Sequence, residues 1–458
     1  MAEELPTPPP TKSHVVVLGG GLAGMAAACN LLDAGRQVTL IEKRPYLGGR
    51  AFSFTDRETG QEVDNGQHIF LGCCTYYIDF LKKLGTFRQA HLQSKMLVKV
   101  LSPGHIAGQL STAPLPKPLH LLPSFLTYRH LGLKDKALAL YALTRIALTN
   151  RSNPALSTET FGHWLKKHHQ TQRSIDNFWN IIVKPCVNDD VSNVTAAMAM
   201  MVFQEGMMKT RHGSSIGYSK VGLSALMGQA AQEYIQRYGG QLITGRAVLA
   251  LQADNSGIKG VELAGGETIR GDVYISALPF DDLAPLLPPE LERAPYFASL
   301  RGLATAPIVN IHLWYNKQIM HEDFAAFVDS PLQWVFNKSS ILGQNGAGGQ
   351  YITISLSGAF EYINQPKEVL QQTFVEAMAQ AFPKAKLAKV ERILVVKQEN
   401  ATFRCLPGSE RLRPKAETPI ENLFLAGEWT DTGWPSTMES AVRSGVAAAQ
   451  AVVSRSNG

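Results

Sequence analysis

A glycine-rich turn between a strand and a helix near the amino terminus restricts the fold of this chain more than any other feature. The apolar run His14–Leu18 leads into Gly19-Gly-Gly21-Leu-Ala-Gly24, an alanine-rich segment follows, and a second apolar run ends at Glu42. A strand, three glycines at the spacing G-x-G-x-x-G, a helix, a strand and an acid form the β-α-β fingerprint of dinucleotide-binding domains. We therefore predict an α/β fold with a dinucleotide site. The alternative is a glycine-rich turn in an unrelated α/β protein.

Each residue of this fingerprint has a physical role. Gly19 permits the tight turn, Gly21 lets the backbone approach a pyrophosphate, and Gly24 lets the helix pack closely on the strand. The helix N-terminus offers unpaired N–H groups and a partial positive charge to the phosphates. Glu42 is placed to accept hydrogen bonds from ribose hydroxyls. An acid at this position favours FAD or NAD over NADP.

A second glycine pair follows the acid directly, in the segment Pro-Tyr-Leu-Gly48-Gly49-Arg50-Ala. This segment resembles the FAD-dependent amine oxidase and phytoene desaturase superfamily, whose members carry a similar Gly-Gly-Arg after the ribose acid. The resemblance implies FAD as the cofactor and assigns Gly48, Gly49 and Arg50 to it. The alternative for Arg50 is a surface charge beside a turn.

The string at 64–73, Asp-Asn-Gly-Gln-His-Ile-Phe-Leu-Gly-Cys, resembles one branch of this superfamily more closely. That branch is the hydroxysqualene dehydroxylases, which act in squalene and hopanoid biosynthesis. We predict a strand at 69–71. In the superfamily this segment reaches the flavin ring, so the resemblance implies that His68 lies near the flavin. The alternative is a core histidine whose ring is satisfied by the backbone.

The carboxyl-terminal block at 422–445 is the second strong motif. An apolar run ends in Gly427-Glu428, and a turn with Trp434 and the sequence Ser436-Thr437-Met438 leads into an alanine-rich helix. This block also resembles the dehydroxylases. The resemblance places its helix N-terminus at the flavin edge that becomes negative on reduction, where N–H groups stabilise the charge. The cofactor-binding residues implied by all these motifs are Gly19, Gly21, Leu22, Ala23, Gly24, Glu42, Lys43, Gly48, Gly49, Arg50, Gly66, Gln67, His68, Val248, Gly427, Glu428, Trp434, Ser436, Thr437 and Met438.

The resemblance covers nearly the whole chain and implies two interleaved domains. One is a Rossmann-like α/β domain that binds FAD, of the amine oxidase type, and the other is a mixed α+β substrate domain inserted into it. For the second half of the substrate domain we predict strands at 308–315, 334–336 and 351–357 and a helix at 367–382. We assign 12–90, 211–282 and 415–458 to the FAD-binding domain, 91–210 and 283–414 to the substrate domain, and 1–11 to a disordered tail.

Composition limits the location and the partners. No run of 18 apolar residues occurs, so we predict no transmembrane helix. The amino terminus is acidic and proline-rich, unlike a secretory signal. The five cysteines are scattered without a C-x-x-C pair, which indicates a reducing compartment and no metal site. The net charge of +6 is compatible with contact with an anionic membrane surface, and we expect no nucleic-acid partner.

The helical segment 114–149 mixes leucine and aromatic residues with five basic residues. This composition is typical of an amphipathic segment that lies on a membrane. We therefore predict a cytoplasmic protein that is peripheral to the inner face of the membrane. The alternatives are an ordinary helical domain with a solvated basic face, or a face that forms a homo-oligomer. The basic residues are Lys117, Arg129, Lys134, Lys136 and Arg145.

The dehydroxylase resemblance implies a lipophilic isoprenoid substrate and a reductive reaction. Hydroxysqualene and reduced flavin would give squalene, water and oxidised flavin, with electrons from a donor that the sequence does not identify. As a hypothesis, the allylic hydroxyl is protonated and leaves as water, and the resulting cation takes a hydride from the flavin. A dry apolar tunnel would protect the cation from water, and aromatic faces could stabilise it. We propose His68 as the proton donor, with Asp190 in reserve.

Two other functions stay open at this point. The first is a carotenoid or isoprenoid desaturase that uses the same FAD site in the oxidative direction. The second is a non-enzyme that binds prenylated partners and has lost FAD, although the intact glycines and Glu42 argue against it. Some amine oxidases bind FAD through a cysteine upstream of the carboxyl-terminal block. Cys405 lies too close to Gly427 for that role, so we predict that FAD is bound non-covalently.

Overall fold

A five-stranded parallel sheet, here called the nucleotide sheet, forms the base of the fold. The computed structural model describes residues 13–103, 106–344 and 348–455, and the tail predicted at 1–11 lies outside them. The strands come from the three stretches assigned to the FAD-binding domain. The strand His14–Leu18 is apolar and buried, as in parallel sheets that are covered on both faces. In spatial order the strands are Gln241–Thr244, Gln37–Glu42, His14–Leu18, Val273–Ser276 and Leu423–Leu425.

Two helices made of small residues pack on one face of this sheet. The helix Leu22–Asp33, here called the glycine helix, follows the predicted turn, and Met438–Arg455 is the C-terminal helix. A Cβ on Gly445 would overlap the carbonyl oxygen of Ala23, and a Cβ on Gly24 would overlap that of Gly19. These glycines therefore let the glycine helix approach both its own turn and the C-terminal helix.

A seven-stranded sheet, here called the large sheet, forms the second layer. The predicted strands and the predicted helix are present, with ends shifted by up to three residues, and Lys367–Ala381 packs on the sheet. The sequence did not predict the edge strand Val390–Phe403, because its charged and polar residues hide the alternation expected of a strand. In spatial order the strands are Val390–Phe403, Thr305–Tyr315, Gln350–Ser357, Trp334–Asn337, Phe324–Phe327, Leu97–Leu101 and Ala107–Ser111.

Three small sheets connect these layers. The strand predicted at 69–71 is present, and it pairs with Ile216–Ser219 in one of these sheets, next to the His68 segment. By sheet, the strands are Ser53–Thr55 and Glu62–Asp64; Ile69–Leu71, Ile216–Ser219 and Ala90–Leu92; and Val248–Asp254, Gly257–Leu263 and Thr268–Ile269. The helices outside the helical segment include Thr75–Lys83, Phe161–Lys167, Asn180–Val187, Ala196–Met201 with its π-helical continuation Val202–Met208, Ser224–Gln229 with Ala230–Arg237, and Lys338–Ile341.

The predicted helical segment contains a short helix, Leu122–Leu126, and a long one, Leu133–Leu148. The long helix buries Ala139, Ala142 and Ile146 in the core and leaves Leu133 and Leu148 exposed. No helix within the described ranges is long and apolar enough to cross a bilayer. In the same ranges, no group of three or more His, Cys, Asp or Glu side chains is arranged to hold a metal ion.

We predict that Gly445→Ala destabilises the protein, because the added methyl group would overlap the Ala23 carbonyl oxygen. Overpacking of this kind costs about 1–3 kcal/mol of unfolding free energy. Urea unfolding followed by circular dichroism measures the change. Ala447→Ser, at an exposed position two residues further along the same helix, is the matched control and should change the free energy by less than about 0.5 kcal/mol. Equal stability of Gly445→Ala and the wild type would contradict the close contact.

Candidate active site

A cavity of about 810 Å³ lies along the carboxyl ends of the nucleotide-sheet strands. This edge is where open parallel α/β sheets bind ligands, and the volume is within the ~300–1,000 Å³ that is typical of cofactor and substrate sites. The cavity extends from the glycine turn, past the His68 segment, to the face of the large sheet. The sequence-predicted residues that line it are Gly19, Gly21, Leu22, Ala23, Glu42, Lys43, Gly48, Gly49, Arg50, Gly66, Gln67, His68, Val248, Gly427, Glu428, Ser436, Thr437 and Met438.

The glycine turn and the second glycine pair enclose a groove without side chains. Gly19 has a φ of +101° and Gly49 one of +59°, conformations that favour glycine. A Cβ on Gly49 would come within 2.8 Å of the Gly21 Cα, whereas a Cβ on Gly21 would touch nothing closer than 3.8 Å. The Gly48 N–H donates to the Gly20 carbonyl at 2.8 Å, which joins the two segments. This bare backbone at a helix N-terminus matches the pyrophosphate of a dinucleotide.

Glu42 supports the turn as well as lining the cavity. Its Oε2 accepts from the Gly20 N–H at 2.7 Å, and its Oε1 accepts from the Arg44 N–H at 2.9 Å. A carboxylate has further acceptor sites, so these two bonds leave capacity for ribose hydroxyls. The buried carboxylate therefore fixes the turn that it shares with the dinucleotide.

Two predicted basic residues are paired with acids at the cavity. Arg50 Nη2 lies 2.6 Å from Glu428 Oε1, so both predicted cofactor residues belong to one ion pair. Arg50 Nη1 donates to the Ala401 carbonyl at 3.2 Å, which links the pair to the large sheet. Lys43 lies at the exposed rim, where it pairs with Asp282 at 3.1 Å.

His68 lies in the cavity wall between the two layers. Its Nδ1 is 3.1 Å from the Gly66 carbonyl oxygen, which can only accept, so Nδ1 carries the proton and Nε2 is an acceptor in the neutral ring. Burial lowers the pKa of His68 below its ordinary value of 6.5, and the Lys338 cation lowers it further, whereas Gly66 and Asp64 oppose the shift. At neutral pH His68 is therefore mainly uncharged, which limits the proton-donor role predicted for it.

Three predicted residues do not line the cavity. Asp190 accepts from the Asn180 side chain at 3.1 Å and from the Ser192 N–H at 3.0 Å, so it stabilises a turn instead of facing the flavin region. The ring of Trp434 lies 4.7 Å from the guanidinium carbon of Arg443. Gly24 is buried below the turn, where its role is the helix packing that the sequence indicated.

The sequence did not reveal the opposite wall of the cavity. It includes Ile308, Asn310, Ser355 and Ser357 of the large sheet. The buried amide of Asn310 donates to the Asn65 carbonyl at 3.4 Å, which brings the sheet against the His68 segment. These residues come from separate strands, and the alternation along each strand marks its inner face but not the ligand that the face meets.

Basic residues near the glycine turn were also missed. Arg44 and Arg246 line the cavity, and Arg44 Nη1 donates to the Gly49 carbonyl at 2.8 Å. Both are therefore placed to interact with an anionic ligand. The signal available in the sequence was the arginine two positions after the acid of the fingerprint, at position 44.

Cys405 is a buried free thiol, and it does not line the cavity. Burial is the main cause that raises its pKa to about 12, so it is not a thiolate at neutral pH. Both observations support non-covalent binding of the cofactor.

Known proteins resemble this chain over almost its whole length. The model of the flavin containing amine oxidoreductase family matches residues 22–453. The 15-cis-phytoene desaturase of Synechococcus elongatus is 26% identical over 96% of this chain and 96% of the relative. The zeta-carotene desaturase of Zea mays is 28% identical over 95% of this chain and 82% of the relative. The structure of a putrescine oxidase double mutant matches with a TM-score of 0.75 at 15% identity, covering 97% of this chain and 99% of that one.

The fold and the cavity define a dinucleotide-dependent oxidoreductase. The chain belongs to the flavin containing amine oxidoreductase family. Its cofactor is FAD, and the predicted fold class is confirmed. Among the relatives, the two desaturases are named for phytoene and zeta-carotene.

We predict that Glu42→Gln weakens FAD binding by about 10- to 100-fold. Glutamine keeps one acceptor oxygen, so its amino group would face either the Gly20 or the Arg44 N–H, and a hydrogen bond to a charged group is worth ~1.5–3 kcal/mol. Fluorescence titration of the apoprotein with FAD measures the dissociation constant. Lys82→Gln is the matched control, since its exposed pair with Asp79 lies outside the cavity lining and contributes little. Wild-type affinity in Glu42→Gln would contradict this role of the carboxylate.

Proposed function

We propose that this chain is an FAD-dependent enzyme that converts hydroxysqualene to squalene. The observation that carries the proposal is the meeting of two motif blocks in one cavity. The segments 64–73 and 427–445 both resemble the hydroxysqualene dehydroxylases, and both contribute to the cavity wall, through His68 and Thr437 among others. Blocks that are more than 350 residues apart in the chain thus surround the same reaction space.

The reaction breaks a C–O bond and forms a C–H bond. The hydroxyl group takes up a proton and leaves as water, and the carbon receives a hydride. When bound and reduced, FAD supplies that hydride. The chain must therefore deliver one proton and exclude water from the reacting carbon.

His68 is the titratable side chain best placed to deliver the proton. When Nε2 is protonated, the lowered pKa makes His68 a stronger acid, although a smaller fraction of the molecules carries the proton. Apolar side chains beside it, Ile69 and Ile308, line the same cavity and exclude water. Among the described residues that line the cavity, Phe280 is the single Phe, Tyr or Trp side chain, and it follows a nucleotide-sheet strand. The aromatic faces expected to stabilise a cation are therefore limited at this cavity to Phe280 and the imidazole of His68.

Oxidative desaturation of a carotenoid or related isoprenoid is the second candidate. Two observations favour it: the relatives are named as phytoene and zeta-carotene desaturases, and neutral His68 has a free acceptor at Nε2. Desaturation removes a hydride and a proton from neighbouring carbons, so His68 would take up a proton instead of giving one. The two candidates therefore require opposite protonation states of the same ring.

The pH dependence of single turnover separates these candidates. For dehydroxylation we predict that the rate falls about tenfold per pH unit above the pKa of His68, which lies below 6.5, because the donor must be protonated. Desaturation would show a rate that is flat at neutral pH and falls only in acid. His68→Gln should remove the pH dependence, and His91→Gln, at an exposed histidine, should keep it. Hydroxysqualene turnover that is flat above pH 6.5 would contradict His68 as the donor.

The long helix of the helical segment supports a peripheral membrane location. It buries a face that includes Ala139, Ala142 and Ile146, and it exposes a stripe whose spacing of three and four residues marks a single helix face. Basic residues lie along one edge of the stripe, which gives the face the character of an interfacial helix. The stripe, here called the apolar face, consists of Leu133, Ala137, Tyr141, Thr144 and Leu148, with Lys134 and Arg145 at its edge.

We predict that Leu133→Ser with Leu148→Ser weakens binding to phosphatidylglycerol vesicles by at least about tenfold. These leucines are 87% and 78% exposed, and complete burial of one leucine contributes ~1.5–3 kcal/mol. Co-sedimentation at several salt concentrations measures both the apolar and the charge contribution. Leu387→Ser, at a leucine that is 80% exposed on another element, is the control and should bind like the wild type. No vesicle binding by the wild type, or equal loss in the control, would contradict the assignment of this face.

A further inference from the structure

A buried ion pair lies directly behind the His68 segment. Lys338 Nζ is 2.9 Å from Asp64 Oδ2, and the two side chains are only 3% and 6% exposed. The ammonium group also donates to Gln67 Oε1 at 3.0 Å. Lys338 begins a short helix after a strand of the large sheet, whereas Asp64 and Gln67 belong to the segment that resembles the dehydroxylases.

Both partners are held in place independently of each other. Asp64 Oδ1 accepts from Ser53 Oγ at 2.8 Å and from the Leu223 N–H at 3.0 Å. The helix that carries Lys338 is capped by the Asn337 side chain, which accepts from the Ser340 N–H at 3.1 Å. Burial alone would raise the pKa of Asp64, but Lys338 and the hydrogen bonds hold it below its ordinary value. The carboxylate is therefore charged at neutral pH.

Transferring two charged groups from water into the protein interior costs free energy. Replacing a buried ion pair with apolar side chains of similar volume therefore often leaves a protein no less stable. A buried pair at this position is therefore better explained by what it does to its neighbours. The neighbours are Gln67 and His68, which line the cavity. Lys338 restrains the Gln67 side chain directly, and both charges act on the imidazole of His68.

We propose that Lys338 is a positioning residue: by binding Asp64 and Gln67 together, it fixes the segment 66–68 in the cavity wall and places a positive charge behind that segment. The inference concerns the flavin site itself and does not depend on which isoprenoid is the substrate. Lys338 does not line the cavity, so it acts through the segment and not on a ligand.

The other titratable groups near this pair do not replace its effect. Burial, followed by Lys338, lowers the pKa of His312 to about 3, so this ring is neutral. Burial raises the pKa of Cys186, which also lines the cavity, to about 12, so the thiol is neutral as well. Glu62 precedes Asp64 on the same strand, and its pKa is raised first by burial and then by Asp64. The charges that act directly on His68 are those of Asp64 and Lys338.

Histidine NMR of the FAD-loaded protein without substrate tests the proposal. The ring signals of His68 are assigned by their loss in His68→Asn and are followed as a function of pH. Lys338→Met leaves the Asp64 charge without a partner, and we expect the His68 midpoint to rise. Asp64→Asn leaves the cation, and we expect the midpoint to fall. A purely structural role of the pair predicts no such opposite shifts.

The double variant Asp64→Asn with Lys338→Met serves as the control for lost charge and lost contacts. Its midpoint should lie between those of the two single variants. If Lys338→Met does not fold, Asp64→Asn is compared with the double variant instead. These two proteins differ only in the Lys338 cation, so the double variant must have the higher His68 midpoint. Unchanged midpoints, or shifts of both single variants in the same direction, would overturn the proposal. Because no substrate is present, these outcomes do not depend on whether the proposed reaction is correct.

Discussion

The close approach of bare backbone at the amino-terminal turn is the constraint on which the rest of the structure depends. A Cβ on Gly24 or on Gly445 would overlap the backbone around the glycine helix, and Gly21 faces Gly49 without a side chain between them. The helix N-terminus can therefore offer its N–H groups to the phosphates of FAD. Glu42 then fixes the turn and reaches the same cavity, so the residues that shape the turn also line the predicted cofactor site.

Two ion pairs connect segments outside the large sheet with elements of the large sheet around the cavity. Arg50 joins Glu428 to the Ala401 carbonyl, and Lys338 joins Asp64 to Gln67. The first pair lies beside the cofactor residues, and the second lies behind the His68 segment. Both restrain cavity residues from outside the reaction space. His68, held neutral between these layers, is the point at which the reductive and the oxidative candidates demand opposite proton transfers.

The cofactor half of this site was predictable from sequence, because a dinucleotide requires glycines, an acid and a helix start at fixed spacing along the chain. The substrate wall was not, since Asn310 and Ser355 come from separate strands and carry no local motif. The pairing of Lys338 with Asp64 spans 274 residues and was equally hidden. Asp190 and Trp434 lie in stretches that resemble relatives, but such a resemblance does not determine which way a side chain points.

A single anaerobic turnover tests the central claim most directly. The purified protein is reduced with dithionite, hydroxysqualene is added, and flavin absorbance is followed together with extraction of the products. The proposed function predicts that the flavin is reoxidised while squalene forms in an equal amount. Flavin that stays reduced, with hydroxysqualene recovered unchanged, would contradict the proposed function and would shift the assignment to a desaturase.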